Sequence, residues 1–150
     1  MTTRRQLLQA GAALPLLALV RPASATPEEM RAAISAYTGG VLPKTGKVVF
    51  DIAKLIDNGN AVPVTISVDS PMTAVEHVTG IAIFNERNPE TDIVRFTLGA
   101  RSGKAEVSTR IRLATSQKLA AVARLSDGSY WQQTVDVIVA LAACIEGEAP

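Results

Sequence analysis

From Val62 to Val68 the chain reads Val-Pro-Val-Thr-Ile-Ser-Val, apolar at every second position. A side-chain period of two is what a strand with one buried face requires, and Asp69-Ser70-Pro71 closes it with turn residues. The same grammar recurs along the chain. Further strands are expected over Lys47–Ile52, His77–Asn85, Ile93–Leu98, Lys104–Leu113, Gln117–Leu125 and Tyr130–Leu141. Turn signals fall between them about every ten residues, at Asp57-Asn58-Gly59, Asn88-Pro89 and Ser102-Gly103. Ser126-Asp127-Gly128-Ser129 supplies the glycine that a tight hairpin needs at positive φ. About seven short strands with this spacing predict an all-β, immunoglobulin-like β-sandwich rather than a barrel. One helix precedes them. Thr26 is placed to cap it, Pro27 suits its first turn, and Glu28 and Glu29 face its positive end. Met30, Ala33, Ile34 and Tyr37 share one face, and Gly39-Gly40 ends the helix at residue 38.

Composition limits the chemistry available to such a fold. With only six aromatic residues, the core rests on Val, Ile, Leu and Ala. The single histidine, His77, and the absence of CxxC or HExxH patterns argue against a nitrogen- and sulfur-ligated metal, and no cofactor is expected. No serine sits in a nucleophile-elbow glycine pattern, and His77 lies at a strand edge where a capped or solvated side chain is the ordinary outcome. Classical hydrolase chemistry is not written here.

The N-terminus reads as an address. Arg4-Arg5 precedes a short apolar run, Ala10 to Val20, which is followed at once by Arg21-Pro22 and by Ala23-Ser24-Ala25. The run is too short for a membrane span and suits a signal peptide over residues 1–25, with the paired arginines suggesting twin-arginine export. Its removal takes away three arginines and no acid, so the formal net charge falls from +1 to −2. The remaining chain has no Lys/Arg block suited to nucleic acid and no membrane span, and its expected location is the periplasm. Residues 26–141 are then one sandwich domain, and residues 142–150 a C-terminal arm.

That arm carries Cys144, the only cysteine in the chain, in Ala142-Ala143-Cys144-Ile145-Glu146. A lone thiol cannot staple its own fold, and past the last strand it is free to meet another molecule. Measured from Ala140, it reaches on the order of 13–17 Å along an extended, flexible arm. Three roles fit these residues: a covalent carrier of cargo on Cys144, a docking or structural subunit without cargo, and a redox relay. The last lacks a resolving cysteine or an adjacent base. Nothing in the sequence activates the thiol, since the neighbouring Glu146 opposes thiolate formation.

Two stretches, Asn58–Met72 and Ser102–Ala114, together with Ser126-Asp127-Gly128-Ser129, the paired arginines and the terminal cysteine, closely resemble the SoxY family of sulfur carriers from thiosulfate-oxidising Sox systems. The resemblance covers essentially the whole chain after the leader. It implies an immunoglobulin-like sandwich, a heterodimer with a SoxZ-like subunit, and covalent attachment of sulfur intermediates at Cys144 for presentation to separate Sox-like sulfur-processing enzymes. On that reading the chain is not itself an enzyme. One departure stands out. Carriers of this family typically end in Gly-Gly-Cys-Gly-Gly, whereas Ala142, Ala143, Ile145 and Glu146 surround the thiol here, like SoxY-related paralogues with an Ala-Ala-Cys-Ile-Glu arm. Glycines make an arm thin and free in backbone angle, while alanines and a β-branched isoleucine thicken and restrict it. The altered arm is expected to serve a narrower set of enzymes or a different cargo.

Overall fold

The structure is a computed structural model and describes residues 24–141. Helix α1 (Pro27–Thr38) is followed by eight strands: β1 (Val48–Asp51), β2 (Leu55–Asn58), β3 (Val62–Val68), β4 (Val78–Asn85), β5 (Asp92–Thr97), β6 (Glu106–Ile111), β7 (Gln117–Leu125) and β8 (Tyr130–Leu141). They form two sheets, ordered β1-β3-β6 and β2-β8-β7-β4-β5, which face each other as a sandwich. Seven strands stand where the sequence places them. The eighth, β2, occupies residues whose Asp57-Asn58-Gly59 reads as a turn, and only Gly59 and Asn60 make the turn itself.

The alternation in β3 is explained by its neighbours. Val62, Val64, Ile66 and Val68 point inward, while Thr65 and Ser67 meet Ser108 and Glu106 of β6 across the outer face at 2.9 and 3.1 Å. β4 and β7 lack that alternation because both of their faces are covered. Ile81, Ile83, Leu119, Ala121 and Ala123 fill the space between the sheets. Ala82, Phe84, Ala120 and Val122 point the other way, beneath α1, where they pack with Met30 and Tyr130. Burying a methionine side chain of this kind stabilises the helix contact by about 1.5–3 kcal/mol.

α1 seats on the sheet through Tyr37, whose ring centroid lies 5.6 Å from Phe84 and 5.9 Å from Tyr130. A Cβ at Gly80 would come within 3.0 Å of the Tyr37 hydroxyl, so glycine there lets the helix approach the sheet. Burial is the main cause that pushes the Tyr37 phenol above its ordinary range, with Tyr130 adding to it. The helix ends as its sequence requires. Thr26 Oγ1 accepts the Glu29 N–H at 3.1 Å, and Gly39 takes the left-handed conformation at φ 63°.

The β7–β8 hairpin turns at Gly128, φ 82°. There Asp127 accepts hydrogen bonds from the Ser129 hydroxyl at 2.7 Å and the Ser129 N–H at 2.8 Å. These bonds favour the charged carboxylate and hold Asp127 below its ordinary 3.8. A depressed folded-state value means that the contribution is present above the unfolded value and is lost as pH falls through the folded one. An NMR titration should therefore place the Asp127 midpoint below 3.8, and Ser129→Ala should move it upward. An unmoved midpoint in that variant would contradict the assignment.

Candidate functional site

The site is the end of the sandwich at Leu141, the last described residue of β8. β7 pairs with β8 from Arg124↔Tyr130 to Gln117↔Val137 and goes no further. β8 nevertheless continues to Leu141 because β2 lies parallel to it, in register Leu55↔Ile138, Ile56↔Val139 and Asn58↔Leu141. The Ile138 N–H donates to the Lys54 carbonyl, and the Gly59 N–H donates to the Leu141 carbonyl, each at 2.8 Å. On the side that β7 leaves open, the Val139 N–H donates to Ser116 Oγ at 2.8 Å. The Gly59 carbonyl then accepts from the Leu113 N–H at 2.8 Å, which carries the link across to the other sheet. Gly59 and Leu113 lie in the two stretches on which the family resemblance rests, so both stretches meet at the exit of β8.

A network of buried and half-buried amides steadies the same end. Asn85 is fully buried; its Nδ2 donates to the Glu90 carbonyl at 2.6 Å, and its Oδ1 accepts the N–H groups of Arg87 and Asn88. Asn88 Oδ1 accepts from the Ala114 N–H at 3.0 Å and from Gln117 Nε2 at 2.9 Å, while Asn88 Nδ2 donates to the Arg112 carbonyl at 2.8 Å. The segment 112–117, which contains Ser116, is thereby fixed to the β4–β5 connection. Satisfied amides such as the buried Asn85 and Gln117 specify one loop geometry, because an alternative geometry leaves desolvated groups unpaired. Ala25, at the end of the expected leader, is buried and donates its N–H to the Asn88 carbonyl at 2.8 Å.

Cys144 and the arm residues Ala142, Ala143, Ile145 and Glu146 lie outside the described residues, as does the expected leader up to residue 23. What the structure places is the last point before them. Cys144 is three residues past Leu141, so an extended chain spans at most about 10–11 Å between their Cα atoms.

His77 stands far from this end. It precedes β4, its backbone pairs with Ser126 near the β7–β8 hairpin, and its Nδ1 lies 3.0 Å from the Thr73 carbonyl. The length of β8, about 35 Å at the usual rise per residue, separates the hairpin from Leu141. The open cleft between β5 and β6, with a volume of about 490 Å³, is lined by Asn88, Glu90, Asp92, Arg110 and Arg112 among others and contains neither cysteine nor histidine. Among the described residues no group of three or more His, Cys, Asp or Glu side chains could hold a metal ion, and no helix is long and apolar enough to cross a membrane.

Sequence reasoning missed β2, Ser116 and the Asn85–Asn88–Gln117 network. Leu55-Ile56 was the available signal for β2, an apolar pair too short to show a period. The hydroxyl of Ser116 carried no signal at all, since its partner is a backbone N–H 23 residues away.

The family model for "Sulfur oxidation protein SoxY" matches residues 34–144. Among curated protein sequences, none matches this chain. Several solved structures share the fold. Superoxide reductase (neelaredoxin) from Ignicoccus hospitalis is 14% identical with a TM-score of 0.57, covering 77% of this chain and 94% of its own. Superoxide reductase from Nanoarchaeum equitans is 17% identical with a TM-score of 0.54, covering 64% of this chain and 100% of its own. The reduced enzyme from Archaeoglobus fulgidus is 16% identical with a TM-score of 0.53, covering 65% and 98%. At these identities the likeness is one of fold alone.

Proposed function

The chain belongs to the SoxY family of sulfur oxidation proteins, and from that premise we propose that it is a periplasmic carrier that holds sulfur intermediates covalently on Cys144. It presents them to separate enzymes and docks a SoxZ-like subunit as a heterodimer. The observation that carries this reading is the position of the only cysteine, three residues beyond Leu141 of a strand held by hydrogen bonds from both sides. The twin-arginine leader fits a protein that folds before export.

The chemistry needs little from the carrier. Joining the Cys144 thiolate to a sulfur anion forms an S–S bond and releases two electrons, which the partner enzyme must accept. Later oxidation or hydrolysis occurs on the bound sulfur, and the free thiol returns at the end. The carrier contributes tethering and high local concentration, while partner enzymes lower the barriers and supply the activation that the thiol lacks. Ala142, Ala143, Ile145 and Glu146 form the carrier arm, and their bulk and charge restrict which enzyme pockets admit it.

The arm is tested by complementation in a host lacking its own carrier of this family. The full chain is expected to restore sulfur-dependent growth, and a chain ending at Leu141 is expected to restore none while remaining folded. Full restoration by the shortened chain would sink the carrier reading and leave the docking subunit, whose function needs the sandwich only.

A further inference from the structure

We infer that the free edge of β6 pairs with the same edge of a second copy of this chain, joining the two β1-β3-β6 sheets across a two-fold axis at Ser108. The inference is independent of the carrier reading. β6 pairs with β3 alone, in an unbroken register from Ser67↔Glu106 to Val62↔Ile111. The Val68 N–H donates to the Ala105 carbonyl at 2.8 Å, which fixes the alternation of the strand. Odd-numbered residues turn their backbone groups toward β3, and Glu106, Ser108 and Arg110 turn theirs outward. Beside that outward edge lies the open cleft of about 490 Å³. Among the described residues no hydrogen bond joins β6 to β5 across it.

Sheet edges are commonly guarded against such pairing, and the other edge strands here are. β1 has its Phe50 N–H taken by Gln133 Oε1 at 2.5 Å, and β2 is only four residues long. β5 carries a register shift against β4 and the Asp92–Arg95 ion pair. β6 has six residues, no proline and no register shift, and its core-facing Val107, Thr109 and Ile111 bring no charge inward. Its exposed face is self-complementary. Glu106 and Arg110 stand two residues either side of Ser108, so a two-fold axis there sets each Glu106 opposite the other copy's Arg110. Each facing pair exchanges two backbone hydrogen bonds. Arg110 has Pro63 as its neighbour on β3 and no ion-pair partner among the described residues. Glu106 Oε2 accepts the Ser67 hydroxyl at 3.1 Å, which leaves Oε1 for a second donor. An axis at Glu106 or Arg110 would instead set like charges face to face. Lys104 and Arg112 would meet next, but both lie outside β6, and Asn88 Nδ2 holds the Arg112 carbonyl at 2.8 Å, so the ladder ends at Arg110. An isologous contact of this kind closes on itself as a dimer.

The full chain is compared as wild type, Glu106→Arg, Arg110→Glu and the charge swap that combines them, under reducing conditions so that Cys144, the only cysteine, forms no disulfide. Both positions are exposed, so the changes do not disturb the core. Sedimentation velocity should show a reversible dimer for the wild type. Because the axis uses each residue twice, either single change should weaken dimerisation at least about tenfold, and the swap should restore it. Amide exchange at Ser108 and Arg110 of the wild type should slow as concentration rises, a readout that needs no variant. A chain that stays monomeric at every concentration, or a dimer that both single changes leave intact, would overturn the inference. So would weakening without rescue by the swap, since the charges would then not face each other. Protection of the Ser108 amide only after addition of a SoxZ-type subunit would give the edge to that subunit and equally overturn self-pairing.

Discussion

Cys144→Ser is expected to abolish sulfur loading and to lower sulfur-dependent turnover at least about 100-fold, with no change in thermal unfolding. The asymmetry follows from chemistry and position. A thiol of ordinary acidity is a few per cent thiolate near neutral pH and intrinsically nucleophilic, whereas a serine hydroxyl without a base is neither. The described core and the ladder of β8 are built from residues up to Leu141, before the substituted position. The measurement pairs calorimetry with turnover in a reconstituted mixture containing a SoxZ-type subunit and the client enzymes. Equal turnover by the serine variant would show that the sandwich alone serves the system.

Phe84→Ala is expected to have the largest effect on the fold. Phe84 is fully buried on the outer face of β4, and its ring meets Tyr37 of α1 at a 60° tilt. Removing it deletes the central contact between helix and sheet and leaves a cavity under a 12-residue helix too short to persist alone. Buried Phe→Ala changes cost about 3–5 kcal/mol. For a domain of this size each kcal/mol is worth about 3–5 °C. A fall in Tm of roughly 10–20 °C is therefore expected by circular dichroism. A loss of only a few degrees would mean that α1 contributes little to the domain.

Much of this architecture is legible in the residues themselves. The period of two in Val62–Val68, the apolar runs of β4 and β7, the glycine at 128 and the caps at Thr26 and Gly39 are local signals. Each names its element with nearly the observed bounds. β2 is different. Four residues with one buried side chain carry no readable period, and their strand conformation comes from pairing with β8, about eighty residues later. Its aspartate and asparagine favour turns in isolation, and tertiary pairing outweighs that preference. The candidate site divides in the same way. Cys144 announces itself by being alone and terminal, whereas the hydrogen bonds that hold its approach belong to Ser116, Gly59 and Asn88. These acquire their roles only when distant backbone groups arrive beside them.

The departure from a glycine arm gives the account a graded consequence. Grafting Gly-Gly-Cys-Gly-Gly in place of Ala142–Glu146 is expected to change turnover by native client enzymes while leaving SoxZ-type pairing intact, because the graft alters thickness and backbone freedom beyond Leu141 only. Unchanged turnover would show that arm sequence does not select the clients.

The central claim is covalent carriage at one atom, and intact-mass spectrometry of the chain recovered from the periplasm of sulfur-oxidising cells reads it directly. The account predicts a population heavier by sulfur, sulfonate or thiosulfonate groups, localised by fragmentation to Cys144 and removed by thiol reductants wherever the added group is joined through a disulfide bond. A chain that remains at its unmodified mass throughout active sulfur metabolism would contradict it.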